Sequence, residues 1–597
     1  MFGYGERQPR DILRHAYPGG ARQGNPSTMR IRHLRQPPLP ARLDEGHAGP
    51  FRPPLLPGRR SIRPLLGRWA LTLACCAGSV APALAQLAPT LPDRFPVTAV
   101  RVEGNTLLPE SALSPLVASV PGEARSLADL RRAAARIQAA YRQAGYGGVV
   151  AYVPEQSLAE GKAVIRVVEG KIAKVRIKGE GRFYSTDNVR ASLPALREGR
   201  TPVVKAVDRD IQLANENSAK ELRVTLSAGA APGDIDADVE VAEQNPLRFM
   251  ASFDNTGEPR TGDYRLGVGV QHANLFHADH VGSAQFQTSP GEPDRVRIYS
   301  LGYRVPLYGL ASSLDAFYAY SSVTTGTTTT TAGPLSFAGK GTVVGLRANR
   351  YLDRIGEYDH RITLGSDWRE YLNDCAIGAL GPAACGPAGA DLRIAPLSLA
   401  YVGQEQTPSG AWGINVALSR NIGGSRQEDF SAARAGATRD YQVWRLSAFA
   451  EIPVASGYGL AGRASFQYSP DALVPGEQLG LGGAASVRAY RERELAGDYG
   501  YFLSLEALGP KLPAAMLPDT SLRPLVFVDH GTVANHHGKP CRGLTEHQCS
   551  LSSVGLGLRI AAGKYASARV DIGRALEDGI VKSAGSLRGH VAISLAY

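Results

Sequence analysis

The sequence predicts a transmembrane antiparallel β-barrel of about 16 strands, preceded by two small β-α-β-β units. Three observations lead to this fold class. From Leu247 onward, helical periodicity disappears and segments of about ten residues alternate apolar and polar. The connections between those segments alternate between short, as at residues 454–457, and long, as at residues 421–438, matching short turns on one side of a membrane and long loops on the other. Beyond residue 85, no apolar run approaches the roughly 20 residues that a membrane helix needs.

Charge and composition are consistent with that reading. The chain has 597 residues, with 66 basic and 55 acidic side chains and a net charge of +11. Residues 1–85 carry 13 Arg and 4 acidic residues, a net of +9, so the remainder is nearly neutral. The basic excess belongs to the leader, which argues against a nucleic-acid partner. Residues 1–58 are rich in Pro, Arg and Gly without periodicity, and Met29 offers a second start. Arg59, Arg60, Arg63 and Arg68 then precede an apolar stretch from Trp69 that ends in Ala83-Leu84-Ala85. A basic region, a short apolar region and an A-x-A end read as a secretory signal, so 1–85 is expected to be leader and 86–94 a linker.

Residues 95–169 and 170–245 each read as a compact α/β unit. In the first, a strand at 98–102 is followed by a helix start at Ser126, with Asp129 at the third helical position. Leu127, Leu130, Ala134, Ile137 and Tyr141 recur on one helical face, and Gly145 stands where a C-cap glycine belongs. Strands at 149–153 and 163–168 close the unit. The second unit repeats the order, with a strand at 172–177, a helical face of Val204, Val207, Ile211 and Ala214, and strands at 222–226 and 235–241. These units resemble POTRA domains, the periplasmic modules that receive unfolded polypeptide.

Residues 246–597 are expected to form the barrel. In residues 442–452, Trp444, Leu446, Ala448, Ala450 and Ile452 share one face, and Arg445, Ser447 and Glu451 the other, with Val443 and Phe449 as apolar exceptions. A strand between lipid and a wet lumen needs that division. The chain closes on Val591, Ile593, Leu595 and Tyr597, alternating with smaller and polar residues. A terminal alternating strand with a final aromatic resembles the signal read by barrel-assembly machinery. Lipid tolerates strands only where every backbone group is paired, so the sheet must close.

One polar loop, residues 469–498, carries Leu481-Gly-Gly-Ala-Ala-Ser-Val487-Arg488-Ala489-Tyr490, and a later strand carries Phe527-Val-Asp529-His-Gly531. Phe527, Asp529 and Gly531 share a face by the period of two. An aspartate against lipid is costly, so that face points inward. A loop folded into the lumen would let the Arg488 guanidinium grip the Asp529 carboxylate through two parallel hydrogen bonds. Gly531 would leave room for the loop backbone.

Two POTRA-like units, then Ser252-Phe-Asp-Asn-Thr-Gly257, V-R-A-Y and F-V-D-H-G, together resemble the two-partner secretion transporters, the haemolysin secretion/activation family of outer-membrane barrels. The resemblance covers residues 95–597. It implies an inward loop marked by Val487, Arg488 and Tyr490, an inner-wall strand marked by Phe527, Asp529 and Gly531, and Arg488–Asp529 as the charged pair between them. Ala489 replaces the family's usual glycine, which is costly if the position needs a positive φ. Many members begin with a helix that plugs the barrel. Residues 86–94, with two prolines, are too short for one and its tether, so no such plug is expected here unless cleavage occurs elsewhere. The resemblance further implies export of a partner exoprotein (a haemolysin, adhesin or contact-dependent toxin) by type V secretion. The competing function is a barrel-assembly insertase of the same superfamily. Outer-membrane lipid and, during biogenesis, the barrel-assembly machinery are the other partners implied.

Cys75 and Cys76 leave with the leader. Cys375 and Cys385 fall in one expected external loop, and Cys541 and Cys549 in another, so two loop disulfides are expected in an oxidising compartment. His536, His537, Cys541, His547 and Cys549 are clustered, but their spacing fits no common zinc pattern, and no metal or other cofactor is expected. Residues 333–340 are superficially similar to a phosphate loop, yet Gly341 follows Lys340 where Ser or Thr is required. No G-x-S-x-G and no catalytic triad is found, so the chain does not read as an enzyme.

Overall fold

The computed structural model describes residues 94–158, 160–259, 261–323, 326–337, 340–372, 391–514, 519–542 and 545–597. The residues expected to form the leader, nearly all of those expected to form the linker, and Cys375 and Cys385 lie outside the described residues.

The first unit runs β1 (Phe95–Val97), β2 (Ala99–Glu103), α1 (Glu110–Val117), β3 (Gly122–Arg125), α2 (Leu127–Gln143), β4 (Val149–Tyr152) and β5 (Lys162–Glu169). Helix α2 begins at a reciprocal cap: the Ser126 side chain accepts from the Asp129 amide, and the Asp129 carboxylate accepts from the Ser126 amide at 2.8 Å. Its apolar stripe, Leu130, Ala134, Ile137 and Tyr141, is buried with Ile165 and Val167 of β5. The second unit runs β6 (Lys171–Lys178), α3 (Thr186–Ser192), α4 (Val204–Ala214), β7 (Lys220–Ala228) and β8 (Asp234–Glu243). Its sheet order, β6-β8-β7, matches β2-β5-β4 of the first, with one parallel and one antiparallel pairing in each. Each unit also contains a short helix absent from the predicted β-α-β-β order. Helices α1 and α3 have eight and seven residues, and α1 contains Pro115. Two turns are too few for a 3.6-residue period to register.

The second unit docks on the barrel through a buried polar joint. Lys220 Nζ meets the Asp279 carboxylate in the turn after the second barrel strand, and also donates to Asn188 Oδ1 at 3.0 Å and to Ser192 Oγ at 2.6 Å. Asn188 Nδ2 donates to Asp279 Oδ1 at 3.0 Å, and Asn217 Nδ2 to the Ala273 carbonyl at 2.7 Å. The side chains of Lys220 and Asp279 are 0% and 1% exposed, so each charge depends on the other.

The barrel strands are β9 (Leu247–Asp254), β10 (Arg265–Leu275), β11 (His280–Thr288), β12 (Ile298–Leu307) and β13 (Ser312–Ser321). A separate hairpin follows, β14 (Gly326–Thr330) and β15 (Gly333–Phe337). The wall continues with β16 (Lys340–Tyr351), β17 (Tyr358–Leu372), β18 (Leu392–Thr407) and β19 (Gly410–Gly424). After helix α5 (Gln427–Ala433) come β20 (Gln442–Pro453) and β21 (Gly459–Tyr468). The inward loop contributes the short pair β22 (Leu479–Leu481) and β23 (Leu495–Gly497). Strands β24 (Tyr499–Leu508), β25 (Leu512–Pro513), β26 (Thr520–Ala534), β27 (Gln548–Ala562), β28 (Ala566–Ala575) and β29 (Leu587–Ala596) complete the wall. The result is a closed antiparallel barrel of 16 strands, with β25 a two-residue segment on β26.

Strand β29 closes on β9, from Ala592↔Asp254 to Ala596↔Met250. One residue further, the side chain of Asn255 extends the ladder: Nδ2 donates to the Gly589 carbonyl and Oδ1 accepts from the Val591 amide, both at 2.9 Å. The faces divide as hydrocarbon requires. On β26, Val526 and Val528 are 50% and 46% exposed on the outside, while Phe527 and Asp529 are buried inside. On β20, Trp444 and Ile452 face outward and Val443 lies buried among loop residues. Among the described residues, no helix is long and apolar enough to cross a membrane.

Removing the ammonium of Lys220 strands Asp279 in a buried site. Lys220→Ala is expected to weaken docking of the second unit by about 3–5 kcal/mol. Amide hydrogen exchange over α3 and the 276–279 turn checks this, with faster exchange in both expected and exchange elsewhere unchanged.

Candidate functional site: an arginine caged inside the barrel

The loop between β21 and β24 turns inward because its ends are tied to the wall and its tip is tied to the floor of a charged recess. Near its start, Glu477 accepts from Arg369 Nη1 at 2.6 Å on β17, from Arg445 Nη2 at 3.1 Å on β20, and from the Tyr371 hydroxyl at 2.8 Å. At its end, Asp498 accepts from Arg434 Nη1 at 2.6 Å, from the Leu473 amide at 3.0 Å and from the His536 amide at 3.0 Å. The short pair β22–β23 forms the stem between these anchors. Positive φ at Gly482 (99°) and Gly483 (107°) then bends the chain toward the tip.

Arg488 is at the tip and has almost no solvent exposure. Its Nε donates to Asp529 Oδ2 and its Nη2 to Asp529 Oδ1, both at 2.7 Å, a bidentate grip on one carboxylate. The Arg488 backbone amide adds a third bond to the same acid at 3.1 Å. Its Nη1 donates to Glu506 Oε1 at 2.7 Å and lies 3.5 Å from Asp571 Oδ1, and Nη2 donates to Ser504 Oγ at 3.2 Å. The guanidinium carbon stands 3.3 Å from the centre of the Phe527 ring, so the cation also sits on an aromatic face. Charge is balanced locally. Arg559 shares Asp571 at 2.8 Å and Glu506 at 3.5 Å, and Arg463 lies 3.8 Å from Glu506. Three arginines meet three carboxylates, and a buried charge cluster of this size is tolerable only when balanced in this way.

The supporting residues fall into place around the pair. Val487 and Tyr490 are fully buried in one cluster with Leu481, Phe502 and Leu551. The Tyr490 hydroxyl lies 2.8 Å from the Glu577 carbonyl and 3.0 Å from that of Ser552. Ala489 has φ +79°, the left-handed conformation in which an alanine is strained. Gly531 does make room for the loop, but for a side chain: a Cβ there would stand 2.8 Å from Leu481 Cδ2. Close backbone approach occurs instead at Gly573, where a Cβ would stand 3.0 Å from the Ala489 amide nitrogen. Phe527 needs Gly555 opposite, where a Cβ would meet its ring at 2.4 Å.

Cys541 and Cys549 form a disulfide that joins the cluster under the loop. Of the neighbouring histidines, His536 bonds through Nε2 to the Ser469 carbonyl at 2.7 Å. Sequence signals for Glu506 and Asp571 exist, because each alternates with outward apolar residues on its strand, Leu505 and Ile572. Glu477, Asp498 and Arg434 carry no comparable signal, since loop acids and arginines are ordinary until the fold brings them together.

Arg488→Ala leaves Asp529 buried without its cation and is expected to destabilise the docked loop by about 3–5 kcal/mol. Arg488→Lys recovers little of this, because an ammonium cannot grip both carboxylate oxygens. Trypsin cleavage after Arg491 and Arg493, sites that all the variants keep, reads both effects in detergent-purified protein, with cleavage fastest in the alanine variant. In the opposite direction, Ala489→Gly relieves a left-handed alanine and is expected to stabilise the loop by up to about 1 kcal/mol after the added flexibility of glycine is counted. Slower cleavage than wild type is the expected readout.

The family of haemolysin secretion/activation protein ShlB/FhaC/HecB matches residues 233–560, more than half of the chain, and the ShlB-type POTRA domain matches residues 95–170. The outer membrane transporter CdiB of Dickeya dadantii (strain 3937) is 24% identical over 454 residues, covering 74% of this chain and 77% of its own. Hemolysin transporter protein HpmB of Proteus mirabilis is 22% identical over 456 residues, covering 74% and 76%. The structure of CdiB from Escherichia coli matches with a TM-score of 0.69 at 20% identity, covering 87% of this chain and 93% of that one. Family membership places the POTRA units in the periplasm and makes the barrel a translocation pore rather than an enzyme. The chain belongs to the haemolysin secretion/activation (ShlB/FhaC/HecB) family and is an outer-membrane transporter of two-partner, type V secretion.

Proposed function

We propose that this transporter takes one large exoprotein from the POTRA pair, unfolded, and threads it through the barrel when the 469–498 loop leaves its cage, with Arg488 and Asp529 as the lock of the resting pore. The observation that carries the reading is the burial of Arg488 among Asp529, Glu506 and Asp571 at the tip of a loop folded into the lumen. A passenger cannot share that space, so the contact must open for transit. Val487, Tyr490, Phe527 and Gly531 shape the seat of the lock, and the Cys541–Cys549 bridge braces the wall beside it.

Strand β4 is an edge of the first POTRA sheet, with Val150 and Tyr152 half exposed along it. An extended segment of the passenger adds there as a further strand, held by main-chain hydrogen bonds. The chain has no nucleotide motif, so direction comes from folding of the passenger outside. A passenger of the haemolysin, adhesin or contact-dependent toxin type suits this route. Lipid solvates the outward apolar face, and the final strand with Tyr597 serves as the signal to the barrel-assembly machinery.

Deleting this transporter is expected to abolish export of its one partner while other barrels stay at normal levels; loss of other barrels would indicate an insertase instead. Arg488→Ala is expected to change secretion more than Arg491→Ala, whose guanidinium takes no part in the cage. Equal secretion by the two variants at equal barrel levels removes Arg488 from the mechanism. A passenger made unable to fold outside is expected to stall, and its full export would remove folding as the driving step.

A further inference from the structure

The loop between β13 and β16 also turns into the barrel. Its described residues form the hairpin β14–β15, whose backbone pairs only with itself. The threonine-rich turn is fastened to the wall through side chains. Ser300 Oγ lies 2.7 Å from Thr328 Oγ1 and donates to the Thr329 carbonyl at 2.8 Å. Gln285 Oε1 accepts from the Thr329 amide at 2.8 Å, and Arg304 Nη2 donates to the Thr331 carbonyl at 3.1 Å. These wall residues face the lumen, because Phe286, Tyr299 and Leu301 between them are 39%, 36% and 55% exposed on the outside. The wall residue beneath the turn is Gly302, where a Cβ would stand 2.6 Å from the Thr331 amide nitrogen.

The hairpin leaves the wall after Ser321, which pairs with Ile298 at one end of β12, and reaches Arg304 near the other end. Those six residues correspond to about 20 Å along the strand, against about 30 Å of hydrocarbon. At that depth Arg304 holds three things at once. Its Nε donates to Asp315 Oδ1 of the wall at 2.6 Å, its Nη1 to Glu216 Oε2 at 3.3 Å, and its Nη2 to the hairpin. Glu216 directly follows the C-cap of α4 in the second POTRA unit.

We propose that the β14–β15 hairpin is a second obstruction in the pore, and that Arg304 is its positioning residue, coupling it through Glu216 to the second POTRA unit. The hairpin contributes nothing to barrel closure, so it can leave the lumen without breaking the backbone ladder of the wall. Displacement of the end of α4 removes one partner of Arg304 and loosens the turn it holds. The part of the proposal that concerns passenger transit rests on the export reading above; the obstruction itself does not.

The test has two passenger-free arms and one secretion arm. Replacing residues 326–337 with a short Gly-Ser linker is expected to raise single-channel conductance in planar bilayers by about twofold or more, since pore radius sets conductance. Unchanged conductance overturns the obstruction. Glu216→Ala is expected to raise conductance in the native chain and to have no effect in the linker variant; an equal effect in both overturns the coupling. For transit, Ser300→Cys with Thr328→Cys brings two thiols within disulfide reach. The oxidised pair, confirmed by peptide mapping, is expected to lower secretion by about tenfold or more and to recover on reduction, as for a lid locked shut, with wild type carried through the same reductant. Full secretion with the bond intact overturns the requirement that the hairpin move. A change in conductance without a change in secretion separates failure of the transit step from failure of the obstruction.

Discussion

Hydrocarbon offers no hydrogen bonds, and this constraint governs most of the architecture. Each backbone group in the wall must find a partner in the wall, so the sheet has to close, and β29 returns to β9 across more than 330 residues of sequence. The Asn255 side chain carries that closure one step beyond the last paired residue, supplying a donor and an acceptor where β9 has ended. Closure fixes the register all round, and register fixes which side chains face inward. Asp529, Glu506 and Asp571 come to one place only because β24, β26, β27 and β28 are adjacent in a locked ladder.

A closed barrel of this size creates a second problem, because the polar inner face must be solvated or filled. Much of this lumen is occupied by chain. The 469–498 loop enters under three separate ties, and the β14–β15 hairpin descends along the opposite wall residues of β11 and β12. The two insertions use different chemistry for a physical reason. The loop tip reaches a place enclosed on every side, where a buried cation needs full ionic compensation. The hairpin lies along one wall and is held mainly by hydroxyl and carbonyl bonds of ordinary strength.

How much of this was legible in the sequence follows from which physical demand acts locally. Lipid acts on each outward residue separately, so alternation in 442–452 and at Val526 and Val528 is plain to read. The α2 cap is equally local, with Ser126 and Asp129 three residues apart. The Arg488–Asp529 contact was legible through the motifs of a family, since nothing in the sequence across a separation of 41 residues announces it. Helices α1 and α3 were hidden by their brevity. Glu477, Asp498 and Arg434 were hidden because a loop acid or arginine shows its role only after distant segments converge on it, β17 and β20 on Glu477 and three loop segments on Asp498. The hairpin at 326–337 was hidden for another reason: five consecutive threonines, Thr327 to Thr331, present no alternation, and both faces of an insertion in a wet lumen can be polar. The role expected of Gly531 on β26 falls two strands away, since the close backbone approach belongs to Gly573 on β28.

The cage around Arg488 is asymmetric, and the asymmetry identifies the acid on which docking depends. Glu506 and Asp571 each keep another arginine if Arg488 withdraws, Arg559 for both and Arg463 for Glu506. Among the described residues, Asp529 has Arg488 as its single ion-pair partner, and otherwise a Ser553 hydroxyl at 3.4 Å. Withdrawal of the loop tip therefore leaves two carboxylates neutralised and one bare. A bare carboxylate in an enclosed site must be hydrated, protonated or paired again. If the loop tip withdrew as proposed, water entering the vacated recess would hydrate it. Departure of the tip and wetting of the recess would then be linked through one side chain. Meanwhile the Glu477 and Asp498 anchors lie at the base of the loop, away from the cage, so the tip can be freed without releasing the stem.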